Sequence, residues 1–293
     1  MDIVITYVNG LDPEWQADYA SCIGEKALTK RYRDWGTLPY LLRGIEECMP
    51  FVENVFLVVS RVSQIPAWIN RDTVHVVLHE EFIPSRYLPT FNSTAIEMFL
   101  HKINGLQEEF IYFNDDFFPM LPCRKEDFFR DGRVAVSMKH HLCTFGNLFR
   151  VQTKRSDRLA RLASGRKAML SYVRPQHTCA PMLRSASAEL YERQREEIQE
   201  SITPRRTRGN YNQYLFTDYA YFTGRTFTQR ISNRHISLSV ASLAWIRQSI
   251  LDPKHKLLCI NDVEMSEEKY RRYREGILDA FQKRFPHKSR YEI

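Results

Sequence analysis

The sequence has no apolar run near the roughly 20 residues that a membrane-spanning helix requires, so no such span is expected. Its amino terminus, MDIVITYVNG, places an acid where a secretory leader carries Lys or Arg, and no small-residue cleavage site follows. The six cysteines, Cys22, Cys48, Cys123, Cys143, Cys179 and Cys259, are scattered without a CxxC spacing. Neither a zinc site nor a redox pair is expected of them, and reduced, mostly buried thiols are the default. His140, His141 and Cys143 stand close together, but no second ligand cluster accompanies them. Internal repeats and low-complexity linkers are absent. These absences together predict a cytoplasmic protein, at most peripheral to the inner membrane.

What is present is the composition of a soluble globular chain: 293 residues, 43% hydrophobic and 26% charged. That length buries a large core in one big domain, or in one domain carrying an insertion. The net charge is +7, with Lys and Arg crowded into TKRSDRLARLASGRK (153–167), PRRTR (204–208) and the last helix. Such a balance favours anionic partners: nucleic acid, anionic lipid headgroups, or phosphorylated sugars and nucleotides. No nucleic-acid-binding motif is present, and charge alone is too common to stand for one, so nucleic acid is not expected as the partner.

The first half alternates short β-branched or aromatic runs with helical patterns. DIVITYV (2–8), NVFLVVS (54–60), VHVVLH (74–79), EFIYF (109–113) and RVAVSM (133–138) are apolar on consecutive positions, as in strands buried on both faces. LPYLLRGIEEC (38–48) follows Thr37, and STAIEMFLHKING (93–105) sets Ile96, Phe99, Leu100 and Ile103 on one stripe before Gly105. The middle, about 154–235, is basic, helical and poor in strand signals, with helices expected over 186–202 and 211–224. A strand returns at KLLCI (256–260), and an amphipathic helix follows from Ser266, with Tyr270, Tyr273, Ile277, Leu278, Phe281 and Phe285 as its apolar face before Pro286. The expected architecture is α/β: a Rossmann-like, mainly parallel sheet with a helical insertion before its last strand. The domain plan is an α/β core over 1–150, a basic helical insertion over 151–240, and a C-terminal strand and helix over 241–293 completing the core.

Polar residues end the strands. Asn9, Gly10 and Asp12 follow the first, His79, Glu80 and Glu81 the third, Asn114, Asp115 and Asp116 the FIYF strand, and Asn261 and Asp262 the last. In FIYFNDDFFP (110–119) two adjacent carboxylates sit between apolar runs, where an ionised acid is costly unless paired, hydrogen-bonded or bound to metal. A polar turn is the plain reading of such a stretch. In a parallel sheet, however, these ends converge on the edge where ligands bind. Asp115, Asp116 and Asp262 are therefore candidate ligands of Mg²⁺ or Mn²⁺, and Asn9, Gly10 and Asn114 lie where a nucleotide would approach.

DIVITYVNGLDPEW (2–15), RDWGTLPYLLRGIE (33–46), QIPAWIN (64–70), LPTFNSTAIEMFLHKINGLQEEFIYFNDD (88–116), LCINDVE (258–264) and the tail RFPHKSRYEI (284–293) resemble the Stealth proteins, sugar-1-phosphate transferases that build bacterial capsular polysaccharides. The catalytic subunit of lysosomal-enzyme N-acetylglucosamine-1-phosphotransferase is similar. The resemblance implies a UDP-sugar donor attacked at its β-phosphorus by an acceptor hydroxyl of a glycan, with UMP released and Mg²⁺ or Mn²⁺ required. It implies functional roles for Glu97, Asp116, His177 in PQHTCAPML and Arg208 in PRRTRGNYN, with Arg33 and Arg43 on the donor side. Two departures stand out. Pro39 occupies a position usually held by Arg, and a His-x-Pro becomes His177-Thr-Cys-Ala-Pro181.

Structural readings stand beside these. Thr94-Ala-Ile-Glu97 fits a capping box, Glu97 and His101 have the one-turn spacing of a surface pair, and PRRTR fits a solvated loop. A metal-dependent glycosyltransferase releasing UDP remains the alternative activity.

Overall fold

The computed structural model describes residues 1–25 and 32–293. Its strands, in chain order, are β1 (Asp2–Thr6), β2 (Asn54–Val59), β3 (Val74–Leu78), β4 (Glu109–Asn114), β5 (Phe117–Pro119), β6 (Phe129–Arg130), β7 (Arg133–Val136), β8 (Met138–Leu142), β9 (Ser171–Pro175), β10 (Ala180–Leu183), β11 (Thr226–Thr228), β12 (Asn233–Ser237) and β13 (Leu257–Asn261). The largest sheet is parallel-rich and runs β10-β4-β1-β2-β3, with β10 antiparallel to β4 at one edge. β1, β2 and β4 are buried on consecutive residues, which is why their sequences read as unbroken apolar runs. β3 lies at the other edge and exposes His75. The order reverses beside β1, where open α/β sheets place their ligands.

The chain forms two compact units, each assembled from separated segments. One comprises Met1–Asp2, Val77–Tyr112 and Glu126–Arg230; the other comprises Ile3–Val76, Phe113–Lys125 and Ile231–Ile293. Each unit draws on separated segments because strand pairing, not sequence order, draws the chain together.

In the second unit, KLLCI does not rejoin the largest sheet. β13 pairs in parallel with β12 and antiparallel with β5, the short strand that immediately follows the two acids. The helix Leu38–Cys48 has the predicted bounds and approaches β5 closely at Gly44, where an added Cβ would meet the Pro119 carbonyl oxygen at 2.5 Å. The helix Glu267–Arg284 begins at Ser266, whose hydroxyl accepts the Lys269 N–H, and buries Tyr273, Ile277, Ala280 and Phe281.

In the first unit, the stripe residues Ile96, Phe99, Leu100 and Ile103 are all buried, but the expected helix over 93–105 is not continuous. It stops at Glu97 and is followed by a 3-10 turn over Leu100–Lys102. A segment enclosed on nearly every side has its backbone set by packing more than by periodicity. The helix expected over 186–202 is likewise two, Arg184–Arg193 and Arg195–Ser201, broken at Gln194. The middle also carries more strands than its sequence suggested, including β8 paired with β9 and β11 paired with β7. Its helical core is Leu148–Ala163 packed on Tyr214–Phe222.

Candidate active site

In the second unit, the residues that follow β1, β4 and β13 come together. Asp116 lends its backbone carbonyl to the Ile260 N–H at 2.9 Å, so the end of β13 lies beside the acid pair although it belongs to another sheet. One Asp116 oxygen, Oδ2, accepts the Cys259 S–H at 3.5 Å; the other, Oδ1, is buried without a partner. Asp262 Oδ1 lies 3.9 Å from an Arg33 nitrogen, and its Oδ2 is also buried and unpartnered. Asp34 accepts the Tyr7 hydroxyl at 3.0 Å and the Gly36 N–H at 2.7 Å.

The electrostatics follow from this crowding. Burial, then the negative charges of Asp116, Asp34 and Asp262, pushes the Asp115 carboxyl up to about 7. Burial lifts Asp116 to about 6, against the hydrogen bond from Cys259. Burial also raises Asp262, with the Trp35 indole, then Arg33 and the Val263 N–H, opposing it, and raises Tyr7, with Asp34 adding to the effect. Four carboxylates thus share one neighbourhood, and two buried oxygens among them accept no hydrogen bond. A hard divalent cation with an oxygen preference fits this donor set, because it supplies positive charge to four neighbouring carboxylates. Arg33 itself stacks 4.2 Å over the Tyr270 ring and keeps its Nε and one terminal nitrogen buried without hydrogen bonds. A guanidinium with donors to spare suits a phosphate.

The other donor-side residues have local duties. The Asn9 backbone is held by Gln64, which receives its N–H at 2.6 Å and gives a bond to its carbonyl at 3.0 Å; the Asn9 side chain accepts the Leu11 N–H. Gly10 is demanded by a backbone neighbour: an added Cβ would stand 2.3 Å from the Tyr32 carbonyl oxygen. Asn114 ends β4, half-buried. Arg43 is engaged away from the acids. Its guanidinium makes a two-pronged pair with Glu292 at 2.8 and 2.7 Å and donates to the Phe285 carbonyl, so it holds the C-terminal segment.

In the first unit, Asn92, not Thr94, caps the helix Ser93–Glu97 by accepting the Thr94 N–H, so no capping box forms. Glu97 is buried and accepts the Gln213 backbone N–H at 2.6 Å. Burial pushes its carboxyl up to about 7, partly opposed by the charge of Arg206. His101 is no surface partner of Glu97: it is buried, and burial with the nearby charges of Lys102 and Arg184 drives its imidazole down to about 3. The basic loop is tied to this helix. Phe91 donates its N–H to the Pro204 carbonyl, Asn92 bonds Asn210 and the Thr203 carbonyl, and Arg206 donates to the Ser93 hydroxyl at 2.7 Å. Arg208 is exposed, so Arg206 is the arginine whose charge reaches Glu97. His177 meets the Tyr214 hydroxyl through Nδ1 at 3.3 Å and lies edge-on to Phe149.

Sequence reading missed Asp34, Tyr7 and Arg206. Asp34 stood next to Arg33 in a block already singled out, and Arg206 two residues before Arg208. The only local signal was that adjacency, because each acts through a partner remote in sequence.

Residues 31–136 match conserved region 2 of the Stealth proteins. The chain is 41% identical over 140 residues to the receptor polysaccharide phosphotransferase WefC of Streptococcus oralis, an alignment covering 45% of this chain and 42% of that protein. It is 26% identical over 330 aligned positions to the capsular polysaccharide phosphotransferase WcwK of Streptococcus pneumoniae, covering 100% of this chain and 98% of the relative. Among solved structures, the galactosyltransferase LgtC bound to donor and acceptor sugar analogues is similar at a TM-score of 0.45 and 11% identity, over 95% of this chain and 96% of that one.

Proposed function

The chain belongs to the Stealth family, and from that premise we propose that it transfers a sugar-1-phosphate from a UDP-sugar to a hydroxyl of a capsular or other surface glycan. In this reaction the acceptor oxygen forms a new bond to the β-phosphorus, the bond from that phosphorus to UMP breaks, and a sugar phosphodiester results. The observation that carries the reading is the group of Asp34, Asp115, Asp116 and Asp262 with its two unpartnered buried oxygens.

Phosphoryl transfer needs positioning and charge stabilisation more than covalent chemistry. When bound, Mg²⁺ or Mn²⁺ would neutralise charge on the donor phosphates, and Asp115, Asp116 and Asp262 are the residues to hold it, with Asp34 beside them. Arg33 offers its spare donors to a phosphate oxygen, and Tyr7 fixes Asp34. Within the first unit, Glu97 is the group suited to general-base work: its carboxyl, near 7, is matched to accepting a proton at neutral pH. In the same unit, His177, steadied by Tyr214, and the exposed Arg208 are the residues proposed for binding an acceptor. A peripheral contact with an anionic membrane surface belongs to the same reading, favoured by the net charge of +7.

The acid group alone would serve equally a glycosyltransferase, in which the sugar leaves without its phosphate. Incubation with a panel of UDP-sugars and Mn²⁺ or Mg²⁺, followed by nucleotide chromatography, separates the two. UMP accumulating in step with a sugar phosphodiester is the expected result; UDP accumulating instead overturns the proposal.

A further inference from the structure

The stretch from Met138 to Leu170 contains eight Lys and Arg residues and a single acid, Asp157. That acid is buried and paired with Arg161 at 2.7 Å, so no carboxylate of the stretch offsets its outward cations. Apolar side chains that ought to be inside stand among them. Phe145 is 102% exposed, Leu170 88%, Leu142 74% and Met169 61%.

The fold gathers these residues onto one surface. β8 pairs with β9 so that Leu142 lies opposite Ser171 and Lys139 opposite Arg174, and the Cys143 N–H bonds the Leu170 carbonyl at 2.8 Å. The loop that carries Phe145 is not loose. Lys154 donates to the Thr144 carbonyl at 2.7 Å, and Arg150 reaches the Thr144 hydroxyl and the Phe145 carbonyl. Three charged side chains, Arg174, Arg150 and Lys139, stand around the His141 ring. The apolar tips are therefore held outward by backbone pairing and basic anchors, and the cost of hydrating them is not relieved within the unit.

We propose that this surface, with Leu142, Phe145, Met169 and Leu170 as its apolar tips and Lys139, Arg150, Arg166 and Lys167 as its basic rim, seats the protein on an anionic lipid bilayer. A soluble polyanion would use the cations and gain nothing from the tips. A neutral apolar partner would gain nothing from the cations. A bilayer carrying anionic headgroups answers both at once, with charge drawn to the headgroup layer and side chains entering the acyl boundary. The proposal gives the membrane contact of the functional reading a defined surface and requires no donor or acceptor for its test.

Flotation of the whole chain with vesicles of phosphatidylglycerol and phosphatidylcholine should recover it bound, while pure phosphatidylcholine vesicles leave it free. Exchanging two rim cations, Lys139→Glu and Lys167→Glu, should weaken partitioning by roughly 25-fold or more, from about fivefold for each cation near the surface. Phe145→Ser with Leu170→Ser should weaken it as well, though both positions are solvent-facing and the fold should melt unchanged. A polarity-sensitive fluorophore on Cys143, in a Cys22→Ser background, should shift to shorter wavelength only with the anionic vesicles. Equal binding to neutral vesicles, or full binding by the serine variant, overturns the proposal. Failure of the transfer assay leaves these measurements untouched, so the two readings fail separately.

Discussion

At the scale of single residues, Asp116 and Glu97 have different tasks that are separable by experiment. Asp116→Asn keeps the volume and the chance of a bond to Cys259 but removes the charge that a cation would neutralise. The fold should survive, and calorimetric titration with Mn²⁺ should lose its binding together with transfer; a variant that keeps both removes Asp116 from the mechanism. Glu97 carries a different signature. Its folded value, about 7, lies above its ordinary 4.5, so the folded state holds the proton more tightly than the unfolded state. The contribution of Glu97 to stability should therefore be fully present below about 4.5, decline as pH rises towards 7 and be lost above it. Glu97→Gln should remove its share of that decline, leaving those of Asp115 and Asp116, and make the protein more stable at pH 8 by up to roughly 3 kcal/mol. Urea midpoints at pH 5 and pH 8 check this, and an unchanged difference between them would overturn it. In the transfer assay, the limb of the pH profile rising near 7 should vanish in the same variant.

At the scale of elements, close approach decides more than propensity. The helix Leu38–Cys48 was legible to the residue because its apolar stripe is regular and one flank of it meets solvent. What the periodicity could not show is why Gly44 sits within it: the Pro119 carbonyl of β5 occupies the space of a side chain. Gly44→Ala should thus destabilise the protein by about 1–3 kcal/mol despite the better helix propensity of alanine, as overpacking generally does. Urea unfolding measures it, and a gain in stability would show that the helix can move off β5. The broken segment 93–102 teaches the converse. Its residues are buried almost throughout, so the expected stripe was real as burial and wrong as a continuous helix.

At the scale of the whole chain, distant segments are stitched within one unit. Arg43 and Glu292 are paired with side chains only 11% and 5% exposed, and Asn70 donates its N–H to the Tyr291 carbonyl at 2.9 Å. Glu292→Ala should strand a buried guanidinium and cost about 3–5 kcal/mol, whereas replacing both partners with leucine should recover much of the loss. A double-mutant cycle in urea tests this; equal losses in the single and double variants would show that the tail is held by its backbone contacts instead.

The sequence by itself determined the buried strands β1, β2 and β4, the helices Leu38–Cys48 and Glu267–Arg284, and the presence of acids at strand ends, because each depends on neighbours within a dozen residues. Its resemblance named Glu97 and Asp116 for roles that remain to be tested. Only the tertiary structure decided that β13 would reach Asp116 through β5 rather than through the largest sheet, that Asp34 would join the acids, and that Arg206 would be the arginine acting on Glu97. Those outcomes depend on backbone hydrogen bonds and unscreened charge between residues as far apart as Asp34 and Asp262. A local pattern records what a segment buries, but not which distant carboxylate it is buried against.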